Sequence, residues 1–88
     1  MRLVFADEAW DDYLYWRSTD ANILERVNGL IKECIRSPLK GTGKPEPLRG
    51  ELRGWWSRQI TLEDRLVYRV TGAGPAQQLE IAQCRYHY

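Results

Sequence analysis

The stretch LRGWWSRQITLEDRLVYRVT, residues 52–71, decides the fold class of this 88-residue chain. It contains two runs rich in β-branched and aromatic side chains, 52–60 and 64–71, with a short polar turn between them. A third run, 79–85, follows a connection through Gly72-Ala-Gly-Pro75. Because connections this short join antiparallel neighbours, the second half of the chain is predicted to form an antiparallel β-sheet.

The first half predicts one strand and a pair of helices. Residues 2–6 (RLVFA) read as a strand that leads directly into a helix, in which Asp11 and Asp12 are expected to face water. The side chains expected to face inward on this helix are Trp10, Tyr13, Leu14 and Arg17. Ser18-Thr19-Asp20 offers capping oxygens for a second amphipathic helix, which Pro38 ends. Its apolar stripe consists of Ile23, Val27, Leu30, Ile31, Cys34 and Ile35.

These elements predict a single α+β domain over residues 1–88. We expect a two-helix hairpin packed on a twisted antiparallel sheet, in the order β-α-α-β-β-β. No apolar run is long enough to span a membrane, and the N-terminus lacks the pattern of a signal peptide, so a cytoplasmic location is expected. Cys34 and Cys84 are then expected to be small buried hydrophobic residues rather than a disulfide.

The common motifs of phosphate and metal chemistry are missing. Gly41-Thr-Gly-Lys44 is followed by Pro45, where a Walker A loop needs Ser or Thr. His87 is the only histidine, which leaves too few ligands for a zinc site, and no GxSxG elbow surrounds a serine. No metal or cofactor is therefore predicted.

Charge is divided unevenly along the chain, although the net charge is only +1. Residues 1–33 carry seven acids and four bases, whereas residues 34–88 carry nine bases and five acids. The acidic helical front and basic rear hint at an anionic partner for one face of the domain, although ordinary solvated surfaces give such a division as well.

Alternation along the strand 64–71 sorts its side chains onto two faces of the sheet. Leu66, Tyr68 and Val70 are predicted to face the core, and the opposite face carries Arg65, Val67 and Arg69. Trp56 and Arg58 would join this second face if the strand register allows. Arginine beside aromatic rings on an open sheet is typical of RNA recognition, and a solvated strand face with incidental arginines is the alternative.

Five segments in order resemble the YoeB toxins of the RelE superfamily. They are WDDYLYW (10–16), GKPEPL (43–48), WSR (56–58), RLVY (65–68) and CRYHY (84–88). The resemblance spans nearly the whole chain. It implies a microbial-ribonuclease-like fold and a ribosome-dependent messenger RNA endonuclease that is held inactive by a YefM-type antitoxin. Gln59 departs from the family, which often has a second arginine there, and 71–78 looks like a surface insertion.

The resemblance also implies roles for individual residues. The family's catalytic positions fall on Glu46, Arg65 and His87, with Tyr88 beside them. Residues assigned to substrate binding are Lys44, Arg49, Trp56, Arg58, Arg85 and Tyr86. We expect Glu46 to accept the proton of the RNA 2′-hydroxyl, Arg65 to stabilise the pentavalent phosphate and His87 to protonate the 5′-oxygen.

The partners expected from this resemblance are a YefM-type antitoxin, the ribosomal A site with its messenger RNA, and a second copy of the chain in a homodimer. No membrane partner is expected. A translation inhibitor that binds the ribosome without cleaving RNA remains the alternative function, since it would keep the same basic and aromatic sheet.

Overall fold

Two helices cover one face of a five-stranded sheet in the computed structural model, which describes residues 1–88. The elements are β1 (Arg2–Phe5), α1 (Asp7–Thr19), α2 (Ala21–Arg36), β2 (Glu46–Pro47), β3 (Trp56–Gln59), β4 (Arg65–Thr71) and β5 (Gln78–Gln83). The strands lie in the order β1-β5-β4-β3-β2. Neither helix is long and apolar enough to cross a membrane.

The helical hairpin forms where the capping and breaking residues predict it. Asp20 alone separates α1 from α2, and its Oδ1 accepts hydrogen bonds from the backbone N–H groups of Asn22 and Ile23, each at 3.1 Å. This satisfies two of the N–H groups that a helix start leaves unpaired. At the other end, α2 stops at Arg36, two residues before Pro38.

The core lies between α2 and the central strands. The helix contributes Val27, Leu30, Ile31 and Cys34, which pack against Leu66, Tyr68, Leu79 and Ile81. Cys34 and Cys84 are both fully buried and unbridged, as predicted. Burial raises the pKa of the Cys34 thiol to about 11 and that of Cys84 to about 12.

The inward face of α1 differs from the predicted one. Its buried residues are Ala9 and Trp16, whereas Trp10 is 48% exposed and stacks flat on Tyr13. Asp12 was expected to face water, but its Oδ2 accepts the backbone N–H of Cys84 at 3.1 Å. Asp12 makes this contact because the end of β5 passes beneath the helix. Burial of the carboxyl group raises the pKa of Asp12.

The predicted α+β class is confirmed, but the sheet is mixed rather than antiparallel. The pairs β2·β3, β3·β4 and β4·β5 are antiparallel, whereas β1 lies parallel to β5. The turn-length argument applies only to strands that follow one another directly, and most of the chain separates β1 from β5. The short strand β2 was not predicted, and β3 begins at Trp56 because a 3₁₀ turn occupies Gly50–Leu52.

Candidate active site on the open face of the sheet

The face of the sheet opposite the helices, here called the open face, brings together two distant segments of the chain. In the register, Glu46 of β2 lies opposite Ser57 of β3, and Ser57 lies opposite Val67 of β4. Cross-strand partners share a face, so these three residues form one row across the sheet. Ser57 and Val67 are nonetheless almost fully buried, which requires a cover on this face.

The cover includes the C-terminal residue. The Tyr88 hydroxyl lies 3.2 Å from Ser57 Oγ and donates a hydrogen bond to Glu46 Oε1 at 3.3 Å. The phenol thus bridges the buried serine and the exposed carboxylate. Two of the predicted catalytic residues, separated by 42 positions in sequence, are in direct contact.

His87 lies beside this pair and is exposed. The centroids of the His87 and Tyr88 rings are 4.8 Å apart, and His87 Nδ1 is 3.0 Å from the backbone oxygen of Tyr88. With Nδ1 engaged by this contact, Nε2 remains for a substrate. An imidazole nitrogen can either donate or accept a hydrogen bond, so His87 has the chemistry of an acid or a base at this position.

Arg65, at the start of β4, is joined to the tail through its backbone. Its backbone N–H donates to the carbonyl of Tyr86 at 2.9 Å, which fastens the tail to the strand. Its Nη1 donates to the carbonyls of the turn before the strand, Thr61 at 2.8 Å, Asp64 at 3.0 Å and Leu62 at 3.3 Å. These bonds hold the guanidinium through one nitrogen and leave Nε and Nη2 for a phosphate.

Two residues near Glu46 and His87 have a strained backbone conformation. Lys44 and Tyr86 are the only non-glycine residues with positive φ, at 53° and 66°. Such a conformation costs on the order of 1–3 kcal/mol and persists only where the surroundings fix it. At Tyr86 the backbone N–H donates to Asp64 Oδ1 at 2.7 Å and the carbonyl accepts from Arg65. Tyr86 redirects the chain directly before His87, and Lys44 does so two residues before Glu46.

The prediction that Arg58 shares this face is wrong. The register places Arg58 opposite Leu66, on the face covered by the helices, and its side chain is fully buried. Nε donates to the Tyr68 hydroxyl at 3.2 Å, and Nη1 lies 3.4 Å from Glu33 Oε1. The terminal nitrogens also donate to the carbonyls of Ser37, Lys40 and Thr42.

Arg58 instead anchors the loop that leads to Glu46. The loop passes so close that a Cβ at Gly41 would lie 1.9 Å from Glu33 Oε1, and one at Gly43 would lie 3.1 Å from Arg58 Cβ. Both glycines also have positive φ, which side chains rarely adopt. The buried guanidinium supplies the donors that these loop carbonyls need away from water.

Trp56 also lies on the face of the sheet that the helices cover. It lies opposite Tyr68 in the register and packs against the hydrophobic core, so its predicted place on the open face is also wrong. Gln59, where the family resemblance led to the expectation of a second arginine, lies opposite Arg65. An arginine at this position would therefore lie next to the Arg65 guanidinium.

The remaining predicted binding residues fall into two groups. Lys44 and Arg49 are exposed on the loop segments on either side of Glu46. Arg85 instead lies at the α1 side of the tail, with Cζ 3.3 Å from the centroid of the Tyr15 ring and 4.4 Å from that of Tyr86. A cleft of about 390 Å³ there is lined by Glu8, Asp11, Asp12, Gln83, Arg85, Tyr86 and His87. Arg85 and Tyr86 thus face an acidic helix, and their stacking holds the tail in place.

Ser57 is the member of this site that sequence reasoning missed. It was considered only as a nucleophile, and no motif supported that role. The signal that could have found it is the register of β2 on β3, because a two-residue strand at Glu46 places the serine directly opposite.

Comparison with known proteins places this helix hairpin on a five-stranded sheet among the toxins of bacterial type II toxin-antitoxin systems. Residues 5–88 match the family model described as the YoeB-like toxin of bacterial type II toxin-antitoxin systems. The chain therefore belongs to the YoeB family.

Individual relatives agree with this assignment over their whole length. The toxin YoeB of Escherichia coli strain K12 is 54% identical over 88 residues, with all of both chains covered. The YoeB/ParE toxin from Agrobacterium tumefaciens is 53% identical, with full coverage of both chains and a TM-score of 0.96. YoeB from Staphylococcus aureus, solved as a dimer, is 38% identical, with a TM-score of 0.88 over 100% of this chain and 98% of that one. The same toxin has also been solved in complex with YefM.

Proposed function

We propose that this toxin is a ribosome-dependent, metal-independent endoribonuclease that cleaves messenger RNA and thereby inhibits translation at initiation. The observation that carries the proposal is the contact of the Tyr88 hydroxyl with Glu46, at 3.3 Å, with the His87 ring beside it. A base and an acid lie within one small group of side chains, and Arg65 is fastened to the same tail through its backbone.

RNA supplies its own nucleophile, so the protein needs only a base, an acid and a positive charge. Glu46 takes the proton of the 2′-hydroxyl, and the 2′-oxygen attacks the adjacent phosphorus. The bond from phosphorus to the 5′-oxygen breaks as the His87 imidazolium gives that oxygen its proton. Arg65 stabilises the charge on the pentavalent phosphate through Nε and Nη2. The products carry a 2′,3′-cyclic phosphate and a 5′-hydroxyl.

Tyr88 has a positioning part in this scheme. Its hydroxyl donates to Glu46 and lies against Ser57, which is buried and therefore fixed. The hydroxyl thus restricts a carboxylate that is otherwise exposed on a two-residue strand. Pro45 and Pro47, on either side of Glu46, restrict the backbone as well.

The ribosome is expected to complete the site. The cleft that His87 lines faces the acidic residues of α1, so RNA is expected to be held in line for attack by another surface. Lys44 and Arg49 are exposed next to Glu46 and suit contacts with phosphates. Binding to ribosomes should therefore weaken steeply with salt, and an affinity that stays constant between low and high salt would argue against phosphate contacts.

Single-turnover cleavage of messenger RNA on programmed ribosomes tests this function. Glu46→Ala and His87→Ala are expected to lower the rate roughly 10²- to 10⁴-fold, and Arg65→Ala roughly 10²- to 10³-fold. Glu25→Ala and Arg36→Ala, exposed on α2, are the matched controls and should cleave at the wild-type rate.

Wild-type rates in all three site variants would overturn the catalytic assignment. Inhibited translation without discrete new RNA 5′ ends would identify the protein as a ribosome-blocking inhibitor that does not cut.

The antitoxin partner is proposed to be of the YefM type, since a relative has been solved with YefM. An acidic segment that is disordered when free would neutralise the basic loop and displace the tail from Glu46. The purified complex should then cleave far more slowly than the free toxin, and equal rates would exclude this mode of neutralisation. Sedimentation of the free protein tests for a homodimer like the one solved for the S. aureus relative.

A further inference from the structure

A second arginine on the open face is fixed on two sides, and the proposed chemistry does not use it. The guanidinium of Arg69 lies over the Trp55 ring, with Cζ 4.3 Å from the ring centroid. Its Nε donates to Glu80 Oε1 at 2.9 Å. The other carboxylate oxygen of Glu80 accepts from Thr71 Oγ1 at 2.7 Å and Gln78 Nε2 at 2.8 Å.

This arrangement fixes the plane of the guanidinium more than it stabilises the fold. The Arg69 side chain is 42% exposed, and ion pairs this exposed contribute little to stability. Three hydrogen bonds on Glu80 keep it ionised, and they lower its pKa to about 2. Within the chain only Nε of Arg69 is engaged by a hydrogen bond, and its side chain is partly open to solvent.

The position of Arg69 relative to the candidate active site suits a neighbouring nucleotide. Arg69 lies two residues along β4 from Val67, and Trp55, the residue just before β3, lies two residues before Ser57, which contacts Tyr88. Two residues of strand span roughly 6.6 Å. This is comparable to the distance between successive phosphates in an extended RNA strand.

We propose, on the basis of the proposed ribonuclease function, that Arg69 backed by Trp55 is a stacking platform for an unpaired base of the messenger, one nucleotide from the scissile phosphate. Single-stranded RNA is commonly bound by stacking of bases on guanidinium planes and aromatic rings. Lysine at the same position would keep the charge and lose the plane. Loss of one stacked base is expected to slow cleavage roughly 5- to 100-fold.

The test combines a protein change with an RNA change. Single-turnover cleavage at subsaturating toxin would be measured for wild type and Arg69→Lys, on ribosomes programmed with intact messenger or with messenger abasic at one nucleotide on either side of the cut. If the base stacks on Arg69, each change alone slows cleavage about 5- to 100-fold, and for one of the two abasic positions the combination is no slower than either change alone. Arg36→Lys on α2 is the control and should respond to the abasic site as wild type does.

A second variant guards against a simple folding defect. Glu80→Ala keeps the arginine but removes the acceptor of its Nε, so it should lose part of the same base-dependent rate without changing the far-ultraviolet circular dichroism. Two results would overturn the stacking platform while leaving the proposed ribonuclease function intact. In the first, the rate reductions caused by Arg69→Lys and by the abasic site multiply at both abasic positions. In the second, Arg69→Lys cleaves intact messenger at the wild-type rate. In the second case, weakened antitoxin binding would assign Arg69 to the antitoxin instead. A wild-type protein that leaves intact messenger uncut would overturn the proposed function, and this inference with it.

Discussion

Replacing Arg58 by alanine should greatly lower the free energy of unfolding of this domain, although the sequence predicts that Arg58 binds RNA. The side chain is completely buried and lies 3.4 Å from Glu33. Its guanidinium donates hydrogen bonds to the Tyr68 hydroxyl and to three loop carbonyls, which belong to Ser37, Lys40 and Thr42. Truncation to alanine would leave all of these acceptors without a donor.

The size of the effect follows from the balance of two terms. Hydrogen bonds to charged groups contribute about 1.5–3 kcal/mol each, but removing the arginine also relieves the cost of burying its charge. Breaking one partner of a buried ion pair typically costs about 3–5 kcal/mol. The whole domain is expected to be stable by only about 5–15 kcal/mol, so Arg58→Ala should remove a large part of that.

Urea unfolding followed by tryptophan fluorescence measures this change at a fixed protein concentration. With a slope of roughly 1–3 kcal/mol per molar urea, a loss of about 3–5 kcal/mol should lower the midpoint of Arg58→Ala by about 1–5 M. Arg49→Ala is the matched control, because Arg49 is exposed, and its midpoint should not move. An Arg58→Ala midpoint within about 0.5 M of wild type, together with lost ribosome binding, would refute the buried anchor and return Arg58 to the RNA site.

Three further results are expected. Cys34 and Cys84 are fully buried, and their thiol pKa values are raised to about 11 and 12. Neither cysteine should therefore react with a thiol reagent at pH 8 until the protein is unfolded. Rapid labelling of the native protein would contradict their burial. The pKa of Glu80 is lowered to about 2, so the contribution of its carboxylate to stability is complete above about pH 4.5 and is lost as the pH falls toward 2. The difference in unfolding free energy between wild type and Glu80→Gln should therefore shrink over this range. A Glu25→Gln protein should show the same pH dependence as wild type. Tyr88→Phe should cleave about tenfold more slowly because Glu46 loses its hydrogen bond, and an unchanged single-turnover rate would remove Tyr88 from the site.

Local sequence signals predicted the helical half of the fold well. Asp20 offers a capping carboxylate and Pro38 cannot continue a helix, so both ends of α2 follow from short-range chemistry. Alternation along β4 also correctly predicted that Leu66 and Tyr68 lie in the core, because a strand has only two faces.

The sides of β3 could not be predicted from its own residues. Trp55 and Trp56 are both aromatic, so alternation does not tell which of them faces the core. Polarity would place Arg58 in solvent, but the loop 37–44 brings carbonyl groups into the interior, and they need a donor there. That requirement arises only once the loop is folded, and it reverses the faces of Trp56 and Arg58.

The contacts within the candidate site could not be predicted from the sequence. Glu46, Arg65, His87 and Tyr88 came from a family resemblance. Their proximity depends on the parallel and antiparallel pairing of the whole sheet and on the strained turn at Tyr86. Long-range pairing of this kind leaves no local signal in the sequence, and the role of Ser57 was invisible for the same reason.

A messenger with a single 2′-deoxy nucleotide on the 5′ side of the cut tests the central claim most directly. The account requires the 2′-hydroxyl as nucleophile and Glu46 as its base, with no metal. On programmed ribosomes in the presence of a chelator of free transition metals, the wild-type toxin should cut the all-ribose messenger to products with a 2′,3′-cyclic phosphate and a 5′-hydroxyl. It should leave the 2′-deoxy position uncut. Cleavage of the 2′-deoxy messenger at an unchanged rate, or products with a 5′-phosphate, would contradict the account.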